Sequence, residues 1–185
     1  MSLESLKLLW DAQNFVVLDT ETTGLGWGAE IVEIAIIDYR GNILLNGRIR
    51  PQNGIPEDAA RIHGIRDKDV SDCPSWQKIC GEVKDALIDR DVIIYNAKYD
   101  VEMLQSSDMV CGLKNGWISI AHYECAMLGY AEFRGDWNHY HRNYRWHKLT
   151  EAISQMGLPP IHAHSALGDC QMTLSLMNHI FGDHS

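Results

Sequence analysis

Between residues 14 and 50 the chain packs three apolar runs, Asn14–Thr20, Ile31–Tyr39 and Ile43–Arg50, with short connections between them. The β-branched Val16 and Val17 favour a buried central strand, and Val32, Ile34 and Ile36 alternate against Ile31, Glu33 and Ala35. Gly41-Asn42 supplies a turn signal before the third run, so the segment predicts an antiparallel meander. After Pro51 the chain reads as loop and short helices through Ser71. From Pro74 to Ile88, apolar residues at Trp76, Ile79, Cys80, Val83 and Leu87 have helical spacing. Val92–Tyr95 reads as a compact strand, Asp100–Gln105 as the opening of a helix, and Trp117–Ala121 as a fifth strand. Leu149–Met156 and Ser165–Phe181 close the chain as helices. Helix alternating with strand adds parallel neighbours to the meander, giving a mixed five-stranded α/β sheet.

With 185 residues, 45% of them hydrophobic and 22% charged, the chain is expected to form one domain, 1–185, with its core over residues 14–180. No apolar run approaches the roughly 18 residues a membrane span needs, and Met1–Trp10 lacks the basic start of a secretory signal. A cytoplasmic protein without a membrane partner is therefore expected. Cys73, Cys80, Cys111, Cys125 and Cys170 are odd in number and show no C-x-x-C spacing, which predicts small buried thiols rather than a disulfide framework or a zinc knuckle.

Four carboxylates and a histidine interrupt this pattern: Asp19-x-Glu21, Asp100, and His164 five residues before Asp169. Strand alternation places Asp19 and Glu21 on one face with Cα atoms about 6.5 to 7 Å apart. Such a pair at the end of a buried strand repels itself unless protonated or bridged by cations. Two divalent cations would resolve the repulsion and clamp both oxygens of an in-line displacement, and hard oxygen ligands select Mg²⁺ or Mn²⁺ over zinc. Asp100 follows a strand at its carboxyl end, where α/β sheets collect ligands. His164 and Asp169 would diverge by about 140° on one continuous helix. If Ser165 caps the helix, His164 lies outside it and both side chains reach one site. A histidine there suits a general base near neutral pH. The formal charge of −9 opposes tight binding along a duplex; −9 with two cations of +2 leaves about −5, which fits a short contact at a strand end.

Val16-Val17-Leu18-Asp19-Thr20-Glu21-Thr22-Thr23-Gly24-Leu25, Tyr95-Asn96-Ala97-Lys98-Tyr99-Asp100 and His164-Ser165-Ala166-Leu167-Gly168-Asp169 together resemble the DnaQ-like, or DEDDh, family of 3′-to-5′ exonucleases. The resemblance implies a ribonuclease H-like fold and release of nucleoside monophosphates from a 3′ end. It makes Asp19 the ligand bridging two metals, places Glu21 and Asp169 on the metal that activates water, and gives Asp100 the second metal. His164 becomes the general base, since His-x-Ala-x-x-Asp matches through Ala166; the sister branch has a tyrosine where this chain has Ser165. Thr22 and Leu25 match residues used against the terminal nucleotide, and Ile62-His63-Gly64-Ile65 resembles the segment beside it, which implicates His63 and Ile65.

Residues 132–148 depart from a minimal connection in that family. Trp137, Tyr140, Tyr144 and Trp146 alternate with Arg142, Arg145 and Lys148. Stacking on Trp137 and Tyr144 with Arg145 on phosphate would make a single-strand guide. Aromatics that seal the core or a homodimer interface are the other reading, and both stay open. Zinc on His139, His141 and His147 is disfavoured without nearby cysteines. The leading expectation is an exonuclease on single-stranded or frayed DNA. An RNA-trimming enzyme and a catalytically silent module that binds nucleic-acid ends are the alternatives. The chain stops at Ser185, just past the last helix, from which a free-standing enzyme rather than a polymerase-tethered one is expected.

Overall fold

The computed structural model describes residues 3–114, 116–119, 121–161 and 164–182. The limits 1 and 185 of the expected domain lie outside the described residues. In chain order the elements are α1 (Leu3–Ala12), β1 (Phe15–Thr22), β2 (Ile31–Asp38), β3 (Ile43–Arg48), α2 (Glu57–His63), α3 (Asp67–Val70), α4 (Trp76–Leu87) and β4 (Asp91–Ile94). They continue with α5 (Ala97–Val110), β5 (Tyr123–Cys125), α6 (Ala126–Arg134), β6 (Trp137–Asn138), β7 (Asn143–Tyr144), α7 (Leu149–Gln155) and α8 (Ala166–Phe181). The main sheet runs β3-β2-β1-β4-β5. β2 lies antiparallel to β1 and β3, while β4 is parallel to both β1 and β5. The mixed five-stranded sheet expected from the sequence is thus present.

β1 is apolar on both faces because both are covered. Phe15 and Val17 face a layer built from α1, α6, α7 and α8, together with Ala35, Ile37, Ile93, Tyr130, Met172 and Leu176. Val16 and Leu18 face α4 and α5 with Ile34, Ile36, Val92, Ile94, Trp76 and Leu104. Burying each such side chain is worth about 1.5 to 3 kcal/mol, enough to hold a strand that ends in acids. The alternation then carries on into polar residues. Asp19 and Glu21 fall on the α8 side, and Thr20 falls on the α5 side, where it meets Asp100.

The predicted fifth strand over Trp117–Ala121 is corrected: Ile120 lies outside the described residues, residues 116–119 form turns, and β5 is Tyr123–Cys125. Ladder pairing decides this, since Val92, Ile93 and Ile94 align with Tyr123, Glu124 and Cys125. Trp117 is apolar for a different reason. Its indole donates to Asp108 Oδ2 at 2.9 Å while Trp76 donates to Asp108 Oδ1 at 2.6 Å, and Ile118 beside it is fully buried. Helix α5 begins at Ala97, earlier than expected, which moves Asp100 into its first turn. α1 had no counterpart in the expected elements; Leu6 docks it against α6, where Gly129 leaves the room that a Cβ would fill at 2.1 Å from Leu6 Cδ1. Cys125 and Cys170 are buried as expected, whereas Cys73, Cys80 and Cys111 are only half-buried; all five are free thiols. Among the described residues, no helix is long and apolar enough to cross a membrane.

Candidate active site

The acidic residues converge at the end of the sheet, between its two helical layers. Asp19 and Glu21 project from β1, and Asp169 projects from the first turn of α8; one carboxylate oxygen of each lies within 4.8 Å of the others. Ser165 caps α8, its hydroxyl accepting from Gly168 N at 3.2 Å, and leaves His164 outside the helix with φ at +65° and its side chain exposed. Asp100 reaches the same end of the sheet from α5. Its Oδ1 accepts from Thr20 N at 3.1 Å and from Thr20 Oγ1 at 2.7 Å. The aspartate is thereby fixed beside the strand rather than capping its own helix.

Gathering these groups pushes every one of them toward the protonated form. Burial raises Asp19 well above the usual carboxylate range, and the charges of Asp100, Asp169, Glu21 and Glu33 add to it. Burial and then Asp169 push Glu21 up to about 8. Asp100 rises to about 7, again through burial, although its bonds from Thr20 oppose the shift. Burial also raises Asp169, while the backbone N–H and charge of His164 ease it. Asp169 Oδ1 is buried and has no hydrogen-bond partner. An orphaned buried oxygen among half-buried acids, in an all-oxygen donor set, fits a hard divalent cation.

A consequence for stability follows from these shifts. Glu21, at about 8 against an ordinary 4.5, holds a proton in the folded chain that the unfolded chain has already released. Asp100, at about 7 against 3.8, does the same. The folded state binds more protons than the unfolded one across that window, so metal-free stability falls as pH rises from about 4 to about 8. Melting in chelator should show a declining Tm over this range, and excess Mg²⁺ should flatten the decline. A level metal-free profile would contradict the clustering.

Glu33 belongs to this neighbourhood although its place in an apolar alternation gave it no assigned role. It stands opposite Glu21 in the β1–β2 register and opposite Arg48 in the β2–β3 register. Its Oε1 accepts from Ala166 N at 2.9 Å and its Oε2 from Arg48 Nε at 3.3 Å. A buried carboxylate thus satisfies an orphan N–H at the start of α8 and interacts favourably with the helix dipole, fixing the turn that carries His164 and Asp169. The signal available in the sequence was a lone charge inside Ile31–Ile37. Glu33→Ala leaves a buried N–H unpaired, at a cost of about 1 to 3 kcal/mol, and should lower both Tm and kcat. Glu33→Gln keeps the acceptor and should recover most of the loss; a wild-type Glu33→Ala enzyme would refute the role.

A cavity of about 370 Å³ adjoins the acids, lined by Glu21, Thr22, Gly24, Leu25, Asp58, Ala59, Ile62, His63 and Tyr99. Thr22, Leu25 and His63 therefore line one cavity. Leu25 is 86% exposed at its mouth, on a loop that needs positive φ at Gly26 and Gly28. His63 is held as a neutral ring: Nδ1 accepts from Ile65 N at 3.0 Å, so Nε2 carries the hydrogen toward Thr22 O at 3.2 Å, and burial lowers its pKa. Ile65 itself lies outside the cavity lining. Its side chain is buried against Val32 and Val70, and its contribution here is the backbone bond to His63. Tyr99 had no assigned role; its hydroxyl donates to Gly24 O at 3.0 Å and meets the Thr22 hydroxyl, tying the loop to α5. A second cavity, about 310 Å³ and lined by Asp91 and His122 among others, opens at the other end of β4 and includes none of Asp19, Glu21, Asp100 and Asp169.

Trp137 and Tyr144 lie on a separate two-stranded hairpin, β6–β7, which Arg145 directly follows, and none of the three is in the cavity lining. Their aromatic neighbours are exposed, which removes the core-sealing reading.

The exonuclease family RNase_T matches residues 16–177. The chain is 40% identical over 173 residues to the uncharacterized exonuclease CP81 of Escherichia phage 186, covering 91% of this chain and 89% of that protein. It is also 40% identical over 96 residues to DNA polymerase III subunit epsilon of Rickettsia felis, covering 48% of this chain and 42% of the subunit, so it spans less than half of that relative's length. Among solved structures, exonuclease X in complex with 5′ overhanging duplex DNA superposes with a TM-score of 0.66 at 24% identity, covering 90% of each chain. The fold is ribonuclease H-like. The chain belongs to the RNase_T exonuclease family and is an exonuclease, a phosphodiester hydrolase.

Proposed function

We propose that this chain, as one catalytic domain, removes nucleotides from the 3′ end of single-stranded or frayed DNA in the cytoplasm, releasing nucleoside monophosphates. The observation that carries the reading is the convergence of Asp19, Glu21 and Asp169 within 4.8 Å beside a cavity of about 370 Å³. Asp19, Glu21 and Asp169 would hold one divalent cation, Mg²⁺ or Mn²⁺, and Asp19 with Asp100 a second. Two such cations, when bound, supply positive charge to the oxygens that become negative during in-line displacement. His164 takes the proton of the attacking water, and its place just outside the Ser165 cap supports this by leaving the ring free to approach. Thr22 and Leu25 hold the terminal sugar and base, and His63 orients them while Ile65 fixes the ring of His63. DNA is favoured over RNA because the subunit epsilon relative is named for a DNA polymerase and the exonuclease X structure holds DNA.

Polarity is tested with matched DNA strands carrying one phosphorothioate linkage, at either the 3′ or the 5′ terminus. Protection by the 3′ modification and indifference to the 5′ one is expected. The reverse pattern, or internal cutting of both strands, would overturn the assignment.

A further inference from the structure

We propose that the β6–β7 hairpin is a stacking platform for single-stranded nucleic acid, which holds bases upstream of the terminal nucleotide. The word upstream rests on the 3′-exonuclease reading above; the binding surface itself does not.

Trp137 and Tyr144 are cross-strand partners in this hairpin, with ring centroids 5.1 Å apart and planes at 81°. They stay 47% and 36% exposed, and Trp146 and Tyr140 are more open still at 58% and 88%. An edge-on pair leaves ring faces free, and every base offers a π-face to stack on them. The stem is rigid enough to present them. Arg145 N bonds Asp136 O at 2.8 Å, Asn138 Oδ1 accepts from the loop N–H groups of Tyr140 and His141, and below the strands the buried His147 packs on Tyr130 at 5.7 Å. Tyr95 donates to His147 O at 2.9 Å. Tyr95 follows β4 directly and precedes Asp100 by five residues, so the stem is anchored at the carboxyl end of the sheet, where the acids gather.

Charge decides the occupant. Residues 137–148 include Arg142, Arg145 and Lys148 and no Asp or Glu, within a chain of formal charge −9. Asp136, the nearest acid in sequence, is engaged by Arg134 at 3.7 Å and His147 at 3.6 Å, which leaves the exposed Arg142 and Arg145 for phosphates. A symmetric pairing of this face with a second copy of the chain would set these arginines against their own mates. A polyanion with flat rings satisfies both features at once.

The experiment measures anisotropy of a 5′-fluorescein oligothymidylate of about 12 nucleotides, in chelator, so that binding is read without hydrolysis. Trp137→Ala with Tyr144→Ala should weaken binding about tenfold or more. With Mg²⁺, KM for the oligomer should rise by a similar factor, while hydrolysis of the p-nitrophenyl ester of thymidine 5′-monophosphate stays unchanged. Arg142→Gln with Arg145→Gln leaves the rings in place and should reduce the slope of log affinity against log salt by about 1.4. Unchanged oligomer binding in both variants overturns the proposal, as does a dimer-to-monomer shift in sedimentation with binding intact, which would assign the face to self-association. Weakened binding in a protein that hydrolyses neither substrate would uphold the platform and sink the exonuclease reading instead.

Discussion

Asp19→Asn should abolish metal-dependent hydrolysis and at the same time make the metal-free protein more stable. Asp19 stands at the centre of the cluster: burial and the charges of Asp100, Asp169, Glu21 and Glu33 all raise it. Replacing it by an amide of the same shape removes one member of that repulsive set and leaves β1, whose strength lies in Phe15, Val16, Val17 and Leu18, untouched. The same change removes the oxygen that both cations would share. Charge stabilisation by bound cations is worth several kcal/mol, so a loss of about 10³-fold or more in kcat is expected. Chelator melts should show a higher Tm than the parent near neutral pH, and Mg²⁺ should raise the variant's Tm far less. Full activity in the variant would sink the metal assignment. A lower metal-free Tm would show that Asp19 stabilises the fold rather than opposing it.

His164→Ala should cost about 10² to 10⁴-fold in kcat with little change in KM or Tm. The side chain is exposed, and its backbone sits at φ +65° immediately before the α8 cap, so neither packing nor the helix depends on the imidazole. His164→Gly should lose catalysis equally while relieving the left-handed backbone, which separates chemistry from strain. A general-base role also predicts that the acid limb of the kcat profile changes with the substitution. An unaltered rate, or a loss confined to KM, would remove His164 from the chemistry.

The site was legible because burial and charge conflict openly there. Asp19, Glu21, Asp100 and Asp169 stand beside apolar strands or at helix starts, and each conflict marks a residue needing a partner. The three meander strands and α8, with its Ser165 cap, were readable for the related reason that local pattern and tertiary role agree. Glu33 was harder to read. A single acid within Ile31–Ile37 looks like the polar face of a strand until β1, β3 and α8 are seen to close around it. Trp117 and Ile118 imitate a strand because they seal α4 and α5 from a loop, and β5 escaped notice because three residues give too short an alternation. Ile65 and Tyr99 exchanged roles: the apolar residue went to the core, and the tyrosine reached the cavity through its hydroxyl. In each case the deciding contact joins residues far apart in sequence.

The most direct test is digestion of matched 5′-labelled single-stranded DNA and RNA by the purified protein, with Mg²⁺, Mn²⁺ or chelator, resolved to single nucleotides. The predicted result is a metal-dependent ladder that shortens from the 3′ end, faster on DNA, and absent with Asp19→Asn. A ladder that persists in chelator, or no shortening of either strand with metal bound, would contradict it.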